Sequence, residues 1–423
     1  MNLIERDRQY LWHPYTQHKT AALPIAIKKG KDALLWDENN KEYIDAIASW
    51  WVNPFGHSNV FIADAIYKQL TTLEHVLFGG FTHEPAIVLA EKLMEILPKN
   101  QQKLFFSDNG STAVEVAIKV GLQYFFNKGE KRTTIIAFEN AFHGDTFAAM
   151  AASGISFYTQ AFEGMFIDVV RIPVPTKGHE EESYTALKVV IKSNPCAAFI
   201  YEPLVQGAAG MVMYEPETLD ILMLICKENN ILTIADEVMT GFGKTGKTFA
   251  TDYLVQKPDM MCLSKALTGG TIPMAITTFT QDLFDAFYDD DINKALFHGH
   301  TFTANPTGCA AALASLELLQ TNEMQENLTR VNEKHLAFQK KIENHSRVTT
   351  TRVLGVIFAL EIKTESNESY YGTLRNKLYN FFIANGVILR PVGNIVYILP
   401  PYIITNEQLH KIYDVIEDAL EKV

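Results

Sequence analysis

The stretch ILTIADEVMTGFGKTG, residues 231–246, decides the fold. Its opening, Ile231 to Ala235, is apolar and rich in β-branched residues, too short for a stable helix, and reads as a buried strand. Asp236 stands at that strand's C-terminal end, where ligands gather in open α/β sheets. Working outward, further candidate buried strands lie at Thr134–Phe138, Ala197–Tyr201 and Met260–Leu263. Helical patterns intervene at Thr112–Asn127, Glu217–Glu228 and Thr307–Gln320. Strand, helix and strand in series predict a mainly parallel sheet flanked by helices. The pattern changes after Gln320. A polar helix over Glu323–Asn344 precedes strand-like runs at Val353–Ile362, Val387–Leu389 and Ile395–Leu399, and a last helix spans Asn406–Glu421. The expected architecture is therefore α/β, with a large domain over 56–319 and a smaller α+β domain over 320–423. Residues 1–55, with their own strands at Ala33–Asp37 and Glu42–Asp45, are expected to join the smaller domain.

Chemistry enters with Lys265, in LSKALTGG. It follows the strand at Met260–Leu263 and precedes a Gly-Gly turn, which puts it at the same sheet edge as Asp236. A carboxylate at a strand end also serves as a plain turn cap, and a lone lysine is usually solvated. Together, however, they are the two groups that pyridoxal 5'-phosphate (PLP) needs. An amine forms the Schiff base and shuttles a proton, and a carboxylate pairs with the pyridine nitrogen. Gly110, Ser111 and Thr112 open an amphipathic helix and offer an anion site, or an ordinary N-cap. Gly299, His300 and Thr301, in HGHTFTANP, form a second turn of that kind. His298 and His300 lack a third ligand nearby, so no metal is expected.

Residues 241–248, GFGKTGKT, match the G-x-x-x-x-G-K-[ST] pattern of a nucleotide-binding loop. A strand should run straight into such a loop and a good helix should leave it. DEVMT intervenes here, and TFATDYLVQKPD is a poor helix, so the match is read as incidental. The net charge of −12, with no basic stripe to offset it, argues against nucleic acid or an anionic membrane as a partner. Four scattered cysteines without a CxxC pair fit a reducing compartment, and no run of roughly 18 apolar residues is present. With charges near the N-terminus where a signal peptide is apolar, the expectation is a cytoplasmic protein.

IADEVMTGFGKTG, LSKALTGG, DNGSTAVEVAIK and HGDTF together resemble the class III aminotransferases, a branch of the fold type I PLP enzymes, over essentially the whole chain. LWHPYT, ASWW, FGGFTHEPA, EPLVQGAAGM and RPVG…YILPPYI are similar to the members that make 7,8-diaminononanoate from 8-amino-7-oxononanoate. The resemblance implies PLP on Lys265 with Asp236 as pyridinium partner, and phosphate held by Gly110 and Ser111. It implies a homodimer in which His300 and Thr301 reach the phosphate of the other subunit. It implies Phe142 against the cofactor ring, and a substrate channel of Tyr15, Trp50, Phe142 and Gly299. Arg390 would clamp the substrate carboxylate, a role that suits its planar fork. S-adenosylmethionine is the implied amino donor; lysine serves in some relatives. Phe142 replaces a Tyr of many members, and Lys244 stands where Arg is common. Ala208 and Met239 replace the Glu and Gln of the 2-oxoglutarate-using members. The alternatives are another ω-aminotransferase, an aminomutase on the same fold and, from the loop pattern, a nucleotide-binding protein.

Overall fold

A computed structural model describes residues 2–364 and 372–423. At its centre lies a seven-stranded sheet. From one edge the strands are Gln101–Ser107, Ala275–Thr280, Met260–Leu263, Leu232–Asp236, Cys196–Tyr201, Thr134–Phe138 and Val169–Ile172. Ala275–Thr280 runs antiparallel to both neighbours, and every other adjacent pair is parallel. The mainly parallel sheet expected from the sequence is present, with one strand reversed. Asp236 sits in register with Cys262, and Ala235 with Tyr201.

The central strands are buried along their whole length. That is why they read as continuous apolar runs, since helices cover both faces of a parallel sheet. Alternate residues feed two cores. Ile200, Ile234 and Cys262 pack with Ala113, Val114 and Ala117 of the helix Gly110–Asn127. Tyr201, Ala235 and Met261 share the other core with Leu187 and Leu222, from helices Glu180–Ser193 and Pro216–Glu228.

Three features depart from the sequence reading. The run Val353–Ile362 is not one strand. Gly355, at φ +58°, makes a turn between antiparallel strands Val348–Leu354 and Ile357–Ile362. The strands Gln101–Ser107 and Ala275–Thr280 had no counterpart among the expected strands. The helix expected from Thr112 starts at Gly110, because Thr112 belongs to its capping box: Asn109 Oδ1 accepts from Thr112 N at 3.0 Å, and the Thr112 hydroxyl donates to Asp108 Oδ1 at 2.7 Å. The Thr112 backbone N–H and hydroxyl are thus both engaged in capping the helix.

A four-stranded sheet joins Ile27–Lys31, Leu34–Asp37 and Glu42–Asp45 to Val387–Ile388, with Val387 paired in parallel to Ile44. The segment Gly241–Thr248 is a series of turns followed by a four-residue 3-10 helix at Ala250–Tyr253. Lys244 is 1% exposed, and its ammonium donates to Gly241 O at 3.3 Å. The lysine of the nucleotide-loop pattern is Lys247, whose ammonium donates to Asp252 O at 3.2 Å, and the short 3-10 helix that follows is not the long helix such a loop leads into. Among the described residues, no helix is long and apolar enough to cross a membrane.

Candidate active site

Strand ends converge on a cavity of about 810 Å³, lined by Asp236, Lys265, Glu202, Phe142, Gly110 and Ser111 among others. It lies at the C-terminal ends of the parallel strands, as open α/β sheets dictate. Asp236 is 5% exposed. One carboxylate oxygen accepts from Val238 N at 3.1 Å, and the other pairs with His143 Nδ1 at 2.7 Å. The backbone that carries the imidazole is tied down: the His143 backbone N–H donates to Ser153 Oγ, whose hydroxyl donates to Ala149 O, both at 2.9 Å.

Lys265 opens the 3-10 turn Lys265–Thr268 directly after the strand Met260–Leu263. Its φ of +50° lies in the left-handed region, a strained conformation for a residue with a side chain. The amine lies 4.6 Å from the centre of the Trp51 ring. Burial lowers its pKa to about 8 against the opposing pull of Asp236 and Glu202. An amine so placed can give up and take back a proton near neutral pH.

Glu202 ends the strand Cys196–Tyr201, as Asp236 ends its neighbour. Its two oxygens accept from Phe142 N at 3.1 Å and Gly207 N at 2.9 Å. Burial raises its pKa to about 7, with nearby Asp236 adding to the rise and His143 opposing it. Glu202 therefore fixes the backbone that carries the Phe142 ring. At the helix start, a Cβ on Gly110 would lie 2.6 Å from Val238 Cγ1. Only glycine lets the helix come this close to the loop after Asp236. Ser111 Oγ accepts from Thr146 N at 2.9 Å, which ties the helix start to the HGDTF segment.

Aromatic side chains line much of the cavity. Tyr15 donates to Asp145, and its ring meets Trp50 at 5.6 Å and Tyr158 at 5.3 Å. The Arg390 guanidinium carbon lies 4.9 Å from the centre of the Trp50 ring. Among the described residues no carboxylate pairs with Arg390, so its fork is available. Ala208 and Met239 also line this cavity.

The structure thus brings together Lys265, Asp236, Gly110, Ser111, Phe142, Tyr15, Trp50 and Arg390. It does not bring Gly299, His300 or Thr301 to the same cavity. These lie between the 3-10 helix Ile292–Lys294 and the helix Pro306–Leu319. His300 Nε2 is buried there without a partner, and His298 Nδ1 lies 3.1 Å from Lys119 Nζ. No group of three or more His, Cys, Asp or Glu among the described residues is placed to hold a metal. Sequence reasoning gave no role to His143, Asp145, Tyr158 or Glu202. Glu202 had a signal, being an acid directly after the apolar strand CAAFIY, as Asp236 follows ILTIA.

The donor set fits PLP. A carboxylate anchored by histidine suits a protonated ring nitrogen, an amine faces the same cavity, and Phe142 offers an apolar ring face. The start of a long helix offers backbone N–H groups for a phosphate.

The class-III aminotransferase family profile matches residues 15–420. The chain is 42% identical to the adenosylmethionine-8-amino-7-oxononanoate aminotransferase of Synechococcus elongatus, over 98% of this chain and 99% of that one. It superposes on the crystal structure of the enzyme of that name from Methanocaldococcus jannaschii with a TM-score of 0.94, at 32% identity and covering 100% and 99% of the two chains. An ω-transaminase from Pseudomonas jessenii in complex with PMP is similar at a TM-score of 0.91 and 28% identity, over 100% and 98%.

Proposed function

The chain belongs to the class III aminotransferases, and from that premise we propose that it aminates 8-amino-7-oxononanoate to 7,8-diaminononanoate, with S-adenosylmethionine as amino donor. The observation that carries this reading is one cavity lined by Lys265, Asp236 and Arg390, the last without a carboxylate partner among the described residues. PLP, when bound, supplies an electron sink for negative charge on the reacting carbon. Lys265 would hold PLP, and its amine would take a proton from the donor's reacting carbon in one half-reaction and deliver one to the acceptor's carbon in the other. The donor's amine-bearing carbon is oxidised to a carbonyl as the ketone is reduced to an amine, the amino group passing from donor to ketone. Asp236, held by His143, would pair with the cofactor's ring nitrogen and keep it protonated. Gly110 and Ser111 would hold the phosphate, with His300 and Thr301 contributed by the second subunit of a homodimer. Phe142 would pack against the ring. Gly299 completes the substrate channel with Tyr15 and Trp50, while Arg390 binds the substrate carboxylate and orients the ketone towards Lys265. The domains divide at 1–55, 56–319 and 320–423, and the enzyme works in the cytoplasm.

The test is an absorbance spectrum of the purified protein before and after S-adenosylmethionine. A yellow band that bleaches on addition supports both cofactor and donor. A band that bleaches only with lysine moves the donor assignment. No band, even after incubation with PLP, overturns the reading. A second reading is favoured by the fold similarity to the ω-transaminase: turnover of putrescine without turnover of 8-amino-7-oxononanoate would establish it.

A further inference from the structure

Between the strand Glu42–Asp45 and the start of helix Val60–Leu70 the chain makes a contorted turn. Ala48, Ser49 and Trp51 have φ of +46°, +62° and +67°. Side chains rarely adopt this region, so something must hold the turn. Three residues do. Asp45 is fully buried and accepts from Ile47 N at 3.2 Å, Ser49 N at 2.7 Å and His57 Nε2 at 2.8 Å. His57 Nδ1 accepts from the Asn53 amide at 3.1 Å, and that amide also reaches Ser49 Oγ at 3.4 Å. The asparagine thus fixes the histidine tautomer with its proton on Nε2, aimed at Asp45. His57 is pinned by backbone bonds to Asp32, at 2.7 and 3.1 Å.

The turn carries the two tryptophans of the cavity. Trp51 lies against the Lys265 amine and Trp50 against the Arg390 guanidinium. Asp45, Asn53 and His57 do not line the cavity themselves. We infer that the Asp45–His57–Asn53 group is a positioning device for Trp50 and Trp51, which sets both the surroundings of Lys265 and the selection of a carboxylate-bearing ketone at Arg390. This rests on the function proposed above.

The test uses the holoenzyme carrying His57→Leu, which removes both ring hydrogen bonds, and His57→Gln, whose amide can accept from Asn53 and donate to Asp45. Two quantities are measured: KM and kcat for 8-amino-7-oxononanoate, and the pH midpoint of the cofactor's absorption band without substrate. In His57→Leu, KM should rise by about tenfold or more, with a smaller change in kcat, and the midpoint should move. His57→Gln should restore KM to within about threefold and bring the midpoint back. A lower Tm with KM and midpoint unchanged would make the group scaffold only and overturn the inference. Should His57→Leu fail to fold, Asn53→Ala takes its place, with unchanged KM and midpoint again the overturning result. The midpoint needs no substrate. A wild-type protein inactive on this ketone would therefore sink the proposed function while the device could still be judged.

Discussion

Arg390 and Lys244 show how differently two cations are used. Arg390 has a ring beneath it and, among the described residues, no carboxylate partner. Arg390→Ala should weaken use of 8-amino-7-oxononanoate by roughly 2–5 kcal/mol in kcat/KM, the range for losing one partner of a buried charge pair. Steady-state kinetics would show this, and the first half-reaction with the donor should change much less. Lys244 has one carbonyl partner, and burial lowers its pKa to about 7; Lys265 pushes it the same way and Glu237 resists. The unfolded chain therefore holds more protons than the folded one between about pH 7 and 10.5, and stability from this group rises with pH across that window. Below about pH 7 both states are charged and the full burial penalty applies. Lys244→Met should raise Tm by roughly 2–5 °C at pH 6.5, and the gain should shrink towards pH 10. Thermal unfolding at the two pH values checks both size and sign.

At the scale of elements, the hairpin turn at Gly355 is the sharpest case. Its φ is +58°, and an added Cβ would fall against Gly246 N and the Thr245 backbone, and 2.5 Å from Lys244 O. Val356 N donates to Lys244 O at 3.0 Å, so the hairpin is docked backbone to backbone on the loop after Asp236. Gly355→Ala should cost about 2–4 kcal/mol in denaturant unfolding, combining left-handed strain with overpacking. The same turn explains a misreading: in VLGVIF the glycine interrupts an apolar run without polar neighbours to mark a turn. The strand AITTFT was illegible for the opposite reason. Its threonines look half-exposed, but the Thr277 hydroxyl donates to Ala113 O at 2.8 Å and that of Thr278 to Gln101 Oε1 at 2.7 Å. Burial of satisfied hydroxyls leaves no apolar run to read. The strands around Asp236 were legible because burial on both faces demands apolar residues throughout.

At the scale of the whole molecule, proposed subunit sharing predicts complementation. If Thr301 serves the partner's phosphate, Lys265→Ala and Thr301→Lys chains should each be inactive. Hybrid dimers from refolded mixtures should regain activity at one site in two. Activity that never returns, with hybrids verified by native mass spectrometry, would place Thr301 elsewhere. The sequence located Lys265 and Asp236 because strand ends are local features. It could not join Asp145 to Tyr15, or Trp50 to Arg390, because those meetings depend on how distant loops pack. The Gly355 hairpin gives the chain a built-in chemical reporter. Lys244 is shielded from solvent beneath that turn, and once exposed its amine regains the reactivity of an ordinary lysine. An acylating reagent should find it only when the hairpin lifts away. The labelling rate of this one lysine would then follow the breathing of the C-terminal region against the catalytic sheet, with no engineered probe.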